Sequence, residues 1–346
     1  MRRRVVALLA ALLTLATACA GSVPPSPLSA APPLAAVVEG SSVIAVLAPS
    51  ATGIAGAAKR TVTSLRSEGI PIARSLGVVD AEPGVDLSET LAVIGRLLDQ
   101  DPVLLIVGCD REAALAATRL AAERDVLVMS PCVTALQFSD ERHVGYSLSA
   151  PNLPQGELLA DEALARDYKS AVVVSAVHSV DAYAQCKAFA DRFVSAGGEL
   201  YAELDVDDLA AGDSWPLERR ADVVVNCVEQ ADAVSSASTI RNLYDGPILA
   251  GSAWLELAGD EELGDLTVAA NLATTGRWTL GVATRALVEI FGAVAQDAHT
   301  FDAGKLSVGI ETTSVFETSV GRVRFEERRN VTPIRLLRSG EAASDQ

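Results

Sequence analysis

The stretch Val103-Leu-Leu-Ile-Val107 decides the fold class of this chain. It contains five apolar residues in a row, and a turn and then a segment of helical period follow it. A strand without a polar side chain has both faces covered, which requires helices on both sides of the sheet. The stretch therefore predicts an α/β protein with a doubly wound parallel sheet, in which ligands bind beyond the carboxyl ends of the strands.

Other short apolar runs repeat this pattern of strand, turn and helix. The helical segments carry apolar faces, such as Leu91, Ile94, Leu97 and Leu98 in one and Leu115 and Leu120 in the next. The further predicted strands are Val43–Leu47, Asp125–Met129, Ala171–Ala176 and Asp222–Val225.

Two breaks in this rhythm divide the chain. Ser149-Ala-Pro-Asn-Leu-Pro154 interrupts it after about 110 residues, and a new helix begins near Gln155, so we expect the first crossover between two lobes there. In the tail, Gly321–Asn330 and Pro333–Leu337 are two extended pieces around a polar turn. A hairpin that finishes one lobe is the simplest interpretation.

The first residues have the composition of an export signal. Arg2, Arg3 and Arg4 precede an apolar run from Val5 to Ala16, which at about twelve residues is too short to span a bilayer. Ala16-Thr-Ala-Cys19 resembles the bacterial lipoprotein cleavage motif, in which the cysteine carries the lipid. The alternative is an ordinary signal peptide with an incidental cysteine. We expect a signal peptide over 1–18 and a Pro/Ala/Ser-rich tether over 19–40.

Composition excludes several function classes. The chain has 346 residues, of which 49% are hydrophobic and 21% are charged, enough for two compact lobes. Its formal net charge is -17, and removal of the three signal arginines makes it about -20. This charge argues against nucleic acid as a partner and against adhesion to anionic lipid, so a lipid anchor would be the only membrane contact.

The order of parts from Ser42 to Leu337 resembles that of the type I periplasmic binding proteins, specifically the leucine/isoleucine/valine-binding branch that serves ABC importers. The matching stretches are short, and their order along the chain carries the resemblance. They are Val43-Ile-Ala-Val-Leu-Ala-Pro-Ser50, Val79-Asp-Ala-Glu-Pro83, Val107-Gly-Cys-Asp-Arg111, Met129-Ser-Pro-Cys-Val-Thr134, Val177-His-Ser-Val-Asp-Ala-Tyr183 and Gly321-Arg-Val-Arg-Phe-Glu326.

The resemblance implies two doubly wound lobes joined by a multi-strand hinge. We expect the first lobe to comprise 41–150 plus about 276–317, the second 151–275 plus about 318–338, and 339–346 to be a polar tail. It also implies a monomer that captures a small polar or amphipathic ligand, amino-acid-like, amide or carboxylate, for an ABC permease. Such a protein is exported and lipid-anchored, and it faces the periplasm or the cell exterior.

Two departures from the family keep an alternative open. Where amino-acid-binding members place an acidic residue, this chain has Gly251-Ser-Ala-Trp254, so Ala253 and Trp254 suggest an aromatic or apolar wall. The segment between Leu266 and Val282 is also short. The alternative is a binding module of the same fold that senses a ligand or regulates an envelope partner.

The resemblance also places candidate ligand contacts. We expect Thr134, Ser50 and the backbone of 110–112 and 131–133, which includes Cys132 and Val133, to hold the ligand's anionic end. Arg111, beside Asp110, is either a carboxylate clamp or a solvated loop residue, and Thr134 is otherwise a helix cap. Tyr183 either closes over the ligand or packs under a helix, and His178 is placed at the cleft.

Four cysteines remain after Cys19, an even number in an exported chain. Cys109 and Cys132 follow strands that should be neighbours, and Cys186 and Cys227 have a similar relation, so two disulfides are expected, with four free thiols as the alternative. His143, His178 and His299 lack metal-ligand spacing, so we expect no metal and no cofactor. The chain also lacks the common motifs of hydrolases, which argues against an enzyme.

Overall fold

The structure is a computed structural model, and it describes residues 42–140, 145–176, 179–211, 221–258, 260–271 and 279–339. All of these residues belong to one compact unit, 34–346. The predicted signal peptide, the tether including Cys19, and all of the polar tail except Ser339 lie outside the described residues.

The described residues form helices and strands in the alternation that the apolar runs predict. The strands are β1 Ser42–Leu47, β2 Leu76–Ala81, β3 Pro102–Val107, β4 Leu127–Ser130, β5 Gly145–Ser147, β6 Ser170–Ser175, β7 Glu199–Asp205, β8 Val223–Cys227, β9 Ile248–Ala250, β10 Leu266–Ala270, β11 Phe316–Thr318, β12 Gly321–Val323, β13 Phe325–Glu326, β14 Arg329–Asn330 and β15 Arg335–Arg338. The helices are α1 Ile54–Ser67, α2 Leu87–Leu98, α3 Arg111–Ala122, α4 Asn152–Ala165, α5 Val180–Ser195, α6 Val206–Ala211, α7 Gln230–Leu243, α8 Leu280–Ala298 and α9 Ala303–Thr312.

The strands form two large sheets, and each is the centre of one lobe. Sheet A has the order β13-β14-β5-β4-β3-β1-β2, and sheet B has the order β15-β10-β9-β8-β6-β7. Pairing is parallel except at one edge of each sheet, where β13 pairs antiparallel with β14 and β15 with β10. The fold is therefore the predicted α/β fold of two doubly wound parallel-sheet lobes, with a separate small ribbon of β11 and β12.

Strand β3, in the interior of sheet A, confirms the reasoning from its sequence. Leu104, Leu105 and Ile106 are fully buried, and β3 lies between β1 and β4. Leu104 and Ile106 belong to one apolar cluster of the core and Leu105 to another, so the two faces of the strand are covered separately. Helices on both faces provide this cover, as an uninterrupted apolar strand requires.

Helix α3 packs on the sheet through a different face from the one its leucines indicate. Leu115 and Leu120 are only partly buried, whereas Ala113, Ala114 and Ala117 are buried. Small side chains let a helix approach a sheet closely, and the larger leucines then lie at the margins of the contact. The period of the pattern was predicted correctly, but its orientation was not.

The C-terminal segment is divided between the two sheets. We expect about 318–338 to finish the second lobe as a hairpin, but β13 and β14 pair in sheet A and only β15 joins sheet B. The hairpin is the shorter one between β13 and β14, whose turn residues Glu327 and Arg328 both have positive φ, as tight hairpin turns require. The exact lobe boundaries stay a prediction.

The chain crosses between the lobes after β5, after β10 and after β14, and these crossings meet at one carbonyl group. The Leu148 oxygen accepts hydrogen bonds from the side-chain amides of Asn271 at 3.0 Å and Asn330 at 2.6 Å. All three residues are buried. The crossings thus form the multi-strand hinge, tied together at Leu148.

The described part of the short 266–282 segment contains β10, Asn271 and the residues from Thr279 onward, where α8 begins. Helix α8 packs against α1 and so returns the chain to the first lobe. None of the helices in the described ranges combines the length and the apolar character needed to cross a bilayer.

Candidate functional site: the cleft between the lobes

A cavity of about 450 Å³ lies at the carboxyl ends of strands from both sheets. Loops after β1, β3 and β4 form its first-lobe wall, and the loops and helix starts after β6, β8 and β9 form the opposite wall. Its size is that of a pocket for a small organic molecule. The cavity therefore occupies the place where doubly wound sheets bind ligands.

The start of α3 forms one part of the first-lobe wall. Asp110 caps the helix, because its carboxylate accepts a hydrogen bond of 2.6 Å from the Ala113 N–H. Arg111 begins the helix and extends toward the second lobe. A carboxylate of the protein thus already lies at this helix N-terminus, where an anionic ligand would otherwise bind.

The loop after β4 forms the next part of this wall. The buried Ser130 hydroxyl accepts hydrogen bonds from the N–H groups of Cys132 at 3.2 Å and Val133 at 3.1 Å. These two donors were predicted to hold an anionic ligand, and they are engaged within the protein. Thr134 follows them and lines the cavity with a half-buried side chain.

Both predicted disulfides are present. Cys109 and Cys132 bridge the ends of β3 and β4, with 5.1 Å between their Cα atoms, and both line the cavity. Cys186 and Cys227 connect α5 to the end of β8, with 5.6 Å between their Cα atoms. Each lobe therefore carries one covalent cross-link close to the cleft.

An ion pair joins the two walls. The Arg111 Nε atom lies 3.0 Å from an Asp181 carboxylate oxygen in the first turn of α5, and the Asp181 side chain is 14% exposed. Burial raises the pKa of the Asp181 carboxyl, the Arg111 charge opposes this, and the nearby Glu229 charge adds to it. The pKa of Asp181 stays above its ordinary value, because one guanidinium does not compensate both effects.

Glu229 lies at the end of the loop after β8, directly before α7. Its carboxylate makes no capping bond to its own helix and instead accepts a hydrogen bond from the Ser179 hydroxyl. Ser179 in turn caps α5 by accepting from the Ala182 N–H at 3.2 Å. This connection holds Glu229 beside Asp181 at the second-lobe wall.

Gln185 follows Asp181 by one helical turn and is almost completely buried at the back of the cavity. Its amide nitrogen has no hydrogen-bond partner among the described residues. The amide packs against Gly251, where a Cβ atom would lie 2.2 Å from that nitrogen, so a larger residue at 251 would displace Gln185. Gln155 positions the adjacent loop by accepting from the Ser252 N–H at 2.7 Å.

The structure brings most of the predicted contact residues together. The predicted residues that line the cavity are Asp110, Arg111, Cys132, Val133, Thr134 and Ala253. Contact of these residues with a ligand stays a prediction. His178 lies outside the described residues.

Three predicted contact residues lie elsewhere. Ser50 is exposed, and its N–H donates to the Glu82 carboxylate at 3.1 Å. Tyr183 is 45% exposed on the outer side of α5, because Asp181 and Gln185 occupy the helix face that is turned to the cavity. Trp254 is fully buried in the core, since the 3-10 turn after β9 directs Ala253 to the cavity instead.

The polar residues of the cavity that sequence reasoning missed include Asn152, Gln185, Glu229 and Glu256. Asp181 lay inside a quoted stretch but was not singled out. A usable signal was present, since Asp181 and Glu229 both lie where a strand of the second lobe leads into a helix. In the described part of the chain, no group of three or more His, Cys, Asp or Glu residues is arranged to hold a metal ion.

Solved structures of binding proteins share this architecture. An ABC transporter substrate-binding protein from Desulfitobacterium hafniense, in complex with Leu, has a TM-score of 0.71 at 15% identity, over 87% of this chain and 98% of that one. A leucine-binding protein from Thermotoga maritima has a TM-score of 0.69 at 16% identity, over 85% of this chain and 94% of that one. A solute-binding protein from Rhodopseudomonas palustris, in complex with 3,4-dihydroxybenzoic acid, has a TM-score of 0.72 at 13% identity, over 86% and 92% of the two chains.

These likenesses, together with the two sheets, the hinge and the cleft, define the class: the chain has the type I periplasmic binding protein fold. Within that class, it has the fold of the leucine-binding proteins among the ABC transporter substrate-binding proteins. No protein-family model matches the sequence, and no curated protein matches it.

Proposed function

We propose that this protein is an extracytoplasmic solute-binding protein that captures a small polar or amphipathic ligand between its lobes and delivers it to an ABC importer. The observation that carries the proposal is the cavity of about 450 Å³, whose walls come from two lobes that the chain connects through the hinge at Leu148. Closure of the lobes about that hinge would enclose a ligand on all sides.

Binding without turnover is part of the proposal. The described residues of the cavity that could act as a base include carboxylates, and each of these is engaged within the protein. Backbone N–H groups bind Asp110 and Glu256, Arg111 pairs with Asp181, and the Ser179 hydroxyl donates to Glu229. The Ser130 hydroxyl holds one loop of the wall in place, because it accepts hydrogen bonds from two backbone N–H groups. Such groups fix the shape of the cleft, which is what selective binding requires.

A thermal-shift screen of the purified protein against amino acids, amides, amines, carboxylates and short peptides tests this function. A ligand that binds only the native state at a hundredfold excess over its Kd adds about 2.7 kcal/mol of stability, which the screen detects easily. Thr134→Ala should weaken binding, whereas Thr63→Ala, on the exposed side of α1, should not. A well-folded sample that binds no compound would overturn the proposal.

The membrane anchor is a further part of the proposal. Ala16-Thr-Ala-Cys19 and the proline-rich 19–40 segment support a lipid on Cys19 and a tether between the membrane and the lobes. Labelling of expressing cells with a fatty-acid analogue should mark the wild-type chain and not Cys19→Ala. An exported chain that takes up no label would show that the cysteine is incidental.

A further inference from the structure

The charges of the cleft are strongly unbalanced. Among the described residues that line the cavity there are four carboxylates, and Arg111 is the only cation. Arg111 is itself paired with Asp181 across the cleft. The cavity therefore carries a net negative charge before any ligand enters. The carboxylates are those of Asp110, Asp181, Glu229 and Glu256.

Carboxylates of the protein already lie at the helix N-termini that surround the cavity. Asp110 caps α3, Asp181 lies in the first turn of α5, and Glu229 directly precedes α7. Glu256 accepts a hydrogen bond of 3.0 Å from the Leu280 N–H at the start of α8. Helix N-termini attract anions, but here side chains of the protein provide the negative charge.

Asp181 and Glu229 are the pair best placed to meet a cation. Both belong to the second-lobe wall. Burial is the main cause that raises the pKa of Asp181; Arg111, 3.0 Å away, opposes it, and the Glu229 charge adds to it. Two carboxylates that repel each other are both stabilised when a positive charge approaches them. Gln185, one turn along α5 from Asp181, adds a polar side chain to the same wall of the cavity, and it brings no positive charge.

We infer that the ligand of this cleft carries a positively charged amine, which lies against Asp181 and Glu229. The inference rests on the proposed function and narrows its ligand class from polar solutes in general to amines. An anion without an amine would have to compete with Asp181 for Arg111 and approach three further carboxylates. An amine meets complementary charge on the second-lobe wall and needs no protein group to be displaced.

The test uses probe molecules that differ mainly in charge. Benzylamine is compared with benzoate, 3-methylbutylamine with 4-methylpentanoate, and leucinamide with leucine, each by isothermal titration of the purified protein. We expect the amine of each of the first two pairs to bind and its carboxylate partner not to bind, and leucinamide to bind at least as tightly as leucine. Binding of the amines should weaken as ionic strength rises, because the interaction is between charges.

Variants connect the binding to the named residues. Glu229→Gln should weaken amine binding at least tenfold, which corresponds to about 1.4 kcal/mol. Asp181→Asn should weaken it too, and it should also improve binding of the carboxylate probes, because it releases Arg111. Glu199→Gln, an exposed acidic residue at the start of β7 outside the cavity, is the matched control and should change neither affinity.

The outcomes separate the inference from the function on which it rests. If only carboxylates bind, or if Glu229→Gln leaves amine affinity unchanged, the inference is wrong and the solute-binding function stands. If folded protein binds none of the probes and no compound of the broader screen, both are wrong. Circular dichroism of each variant shows whether a lost affinity reflects a lost fold.

Discussion

Gly156 in α4 allows a close approach of two helices, and its replacement should be costly. A Cβ atom there would lie 2.2 Å from the Gln185 carbonyl oxygen in α5 and 3.0 Å from the Ala188 Cβ atom. The nearer contact is with backbone, which cannot rotate away, so the helices must separate by about 1 Å to restore an ordinary contact. Overpacking of a buried site costs about 1–3 kcal/mol, and the backbone contact places Gly156→Ala in the upper half of that range.

The assay is thermal and urea-induced unfolding of the purified protein. At about 2–4 °C per kcal/mol, a loss of about 2–3 kcal/mol lowers Tm by about 4–12 °C. The same displacement would move Gln185, so ligand affinity should fall together with stability.

Gly95→Ala is the matched control for this substitution. Gly95 lies within α2 with nothing within 4 Å of an added Cβ atom. Alanine at such a helix position should raise stability by about 0.4–1 kcal/mol, because it restricts the unfolded chain. The reasoning about the helix contact is refuted if Gly156→Ala is as stable as the wild type, or if both variants are destabilised equally.

Three further predictions concern stability. Replacing both cysteines of the Cys109–Cys132 disulfide, which are 23 residues apart, should lower the free energy of unfolding by about 3.4 kcal/mol, because the cross-link restricts the unfolded chain. A loss under about 1 kcal/mol in urea titrations would contradict this reasoning. Burial acts to raise the pKa of Asp222, but hydrogen bonds from the N–H groups of Lys169 and Ser170 and from the Ser170 hydroxyl outweigh it and lower the pKa. The ionised Asp222 carboxylate should therefore stabilise the protein fully above about pH 4, and this stabilisation should disappear as pH falls through the folded-state pKa. The difference in Tm between the wild type and Asp222→Asn should shrink as thermal unfolding is measured at lower pH. A difference in Tm that does not depend on pH would contradict this reasoning. Ser130→Ala should cost about 1–3 kcal/mol in the same urea assay, since it removes the acceptor of the buried Val133 N–H and of the part-buried Cys132 N–H. An unchanged midpoint would show that these groups find another acceptor.

The fold could be predicted from the sequence because its signal is local and repeated. Apolar runs such as Val103–Val107 indicate strands covered on both faces, and the prediction holds whichever helices provide the cover. The Cys109–Cys132 disulfide followed from the same argument, since cysteines after adjacent parallel strands lie at the same sheet edge, whereas Cys186 lies in a helix. Even the first crossover, near Ser149, follows from a local cluster of turn residues.

The rest depended on side-chain direction and on distant pairing. Trp254 follows a strand end, but a 3-10 turn directs it into the core, and no periodic pattern marks such a short turn. Asp181 and Glu229 come together because β6 and β8 are neighbours in sheet B. This pairing cannot be read from the sequence, in which β7 lies between the two strands. The division of 318–338 between the sheets also depends on pairings with strands far away in the sequence, Arg329 with Ser147 and Arg338 with Thr267.

The contribution of β13 and β14 to sheet A determines when the first lobe can fold. Arg329 in β14 pairs with Ser147 in β5, so this edge forms only when nearly the whole chain is available. Contacts between residues so distant in sequence slow folding, because the intervening chain must lose its freedom before they form. A chain that emerges gradually would therefore hold sheet A open, with β5 at an unpaired edge, until β13 and β14 are available.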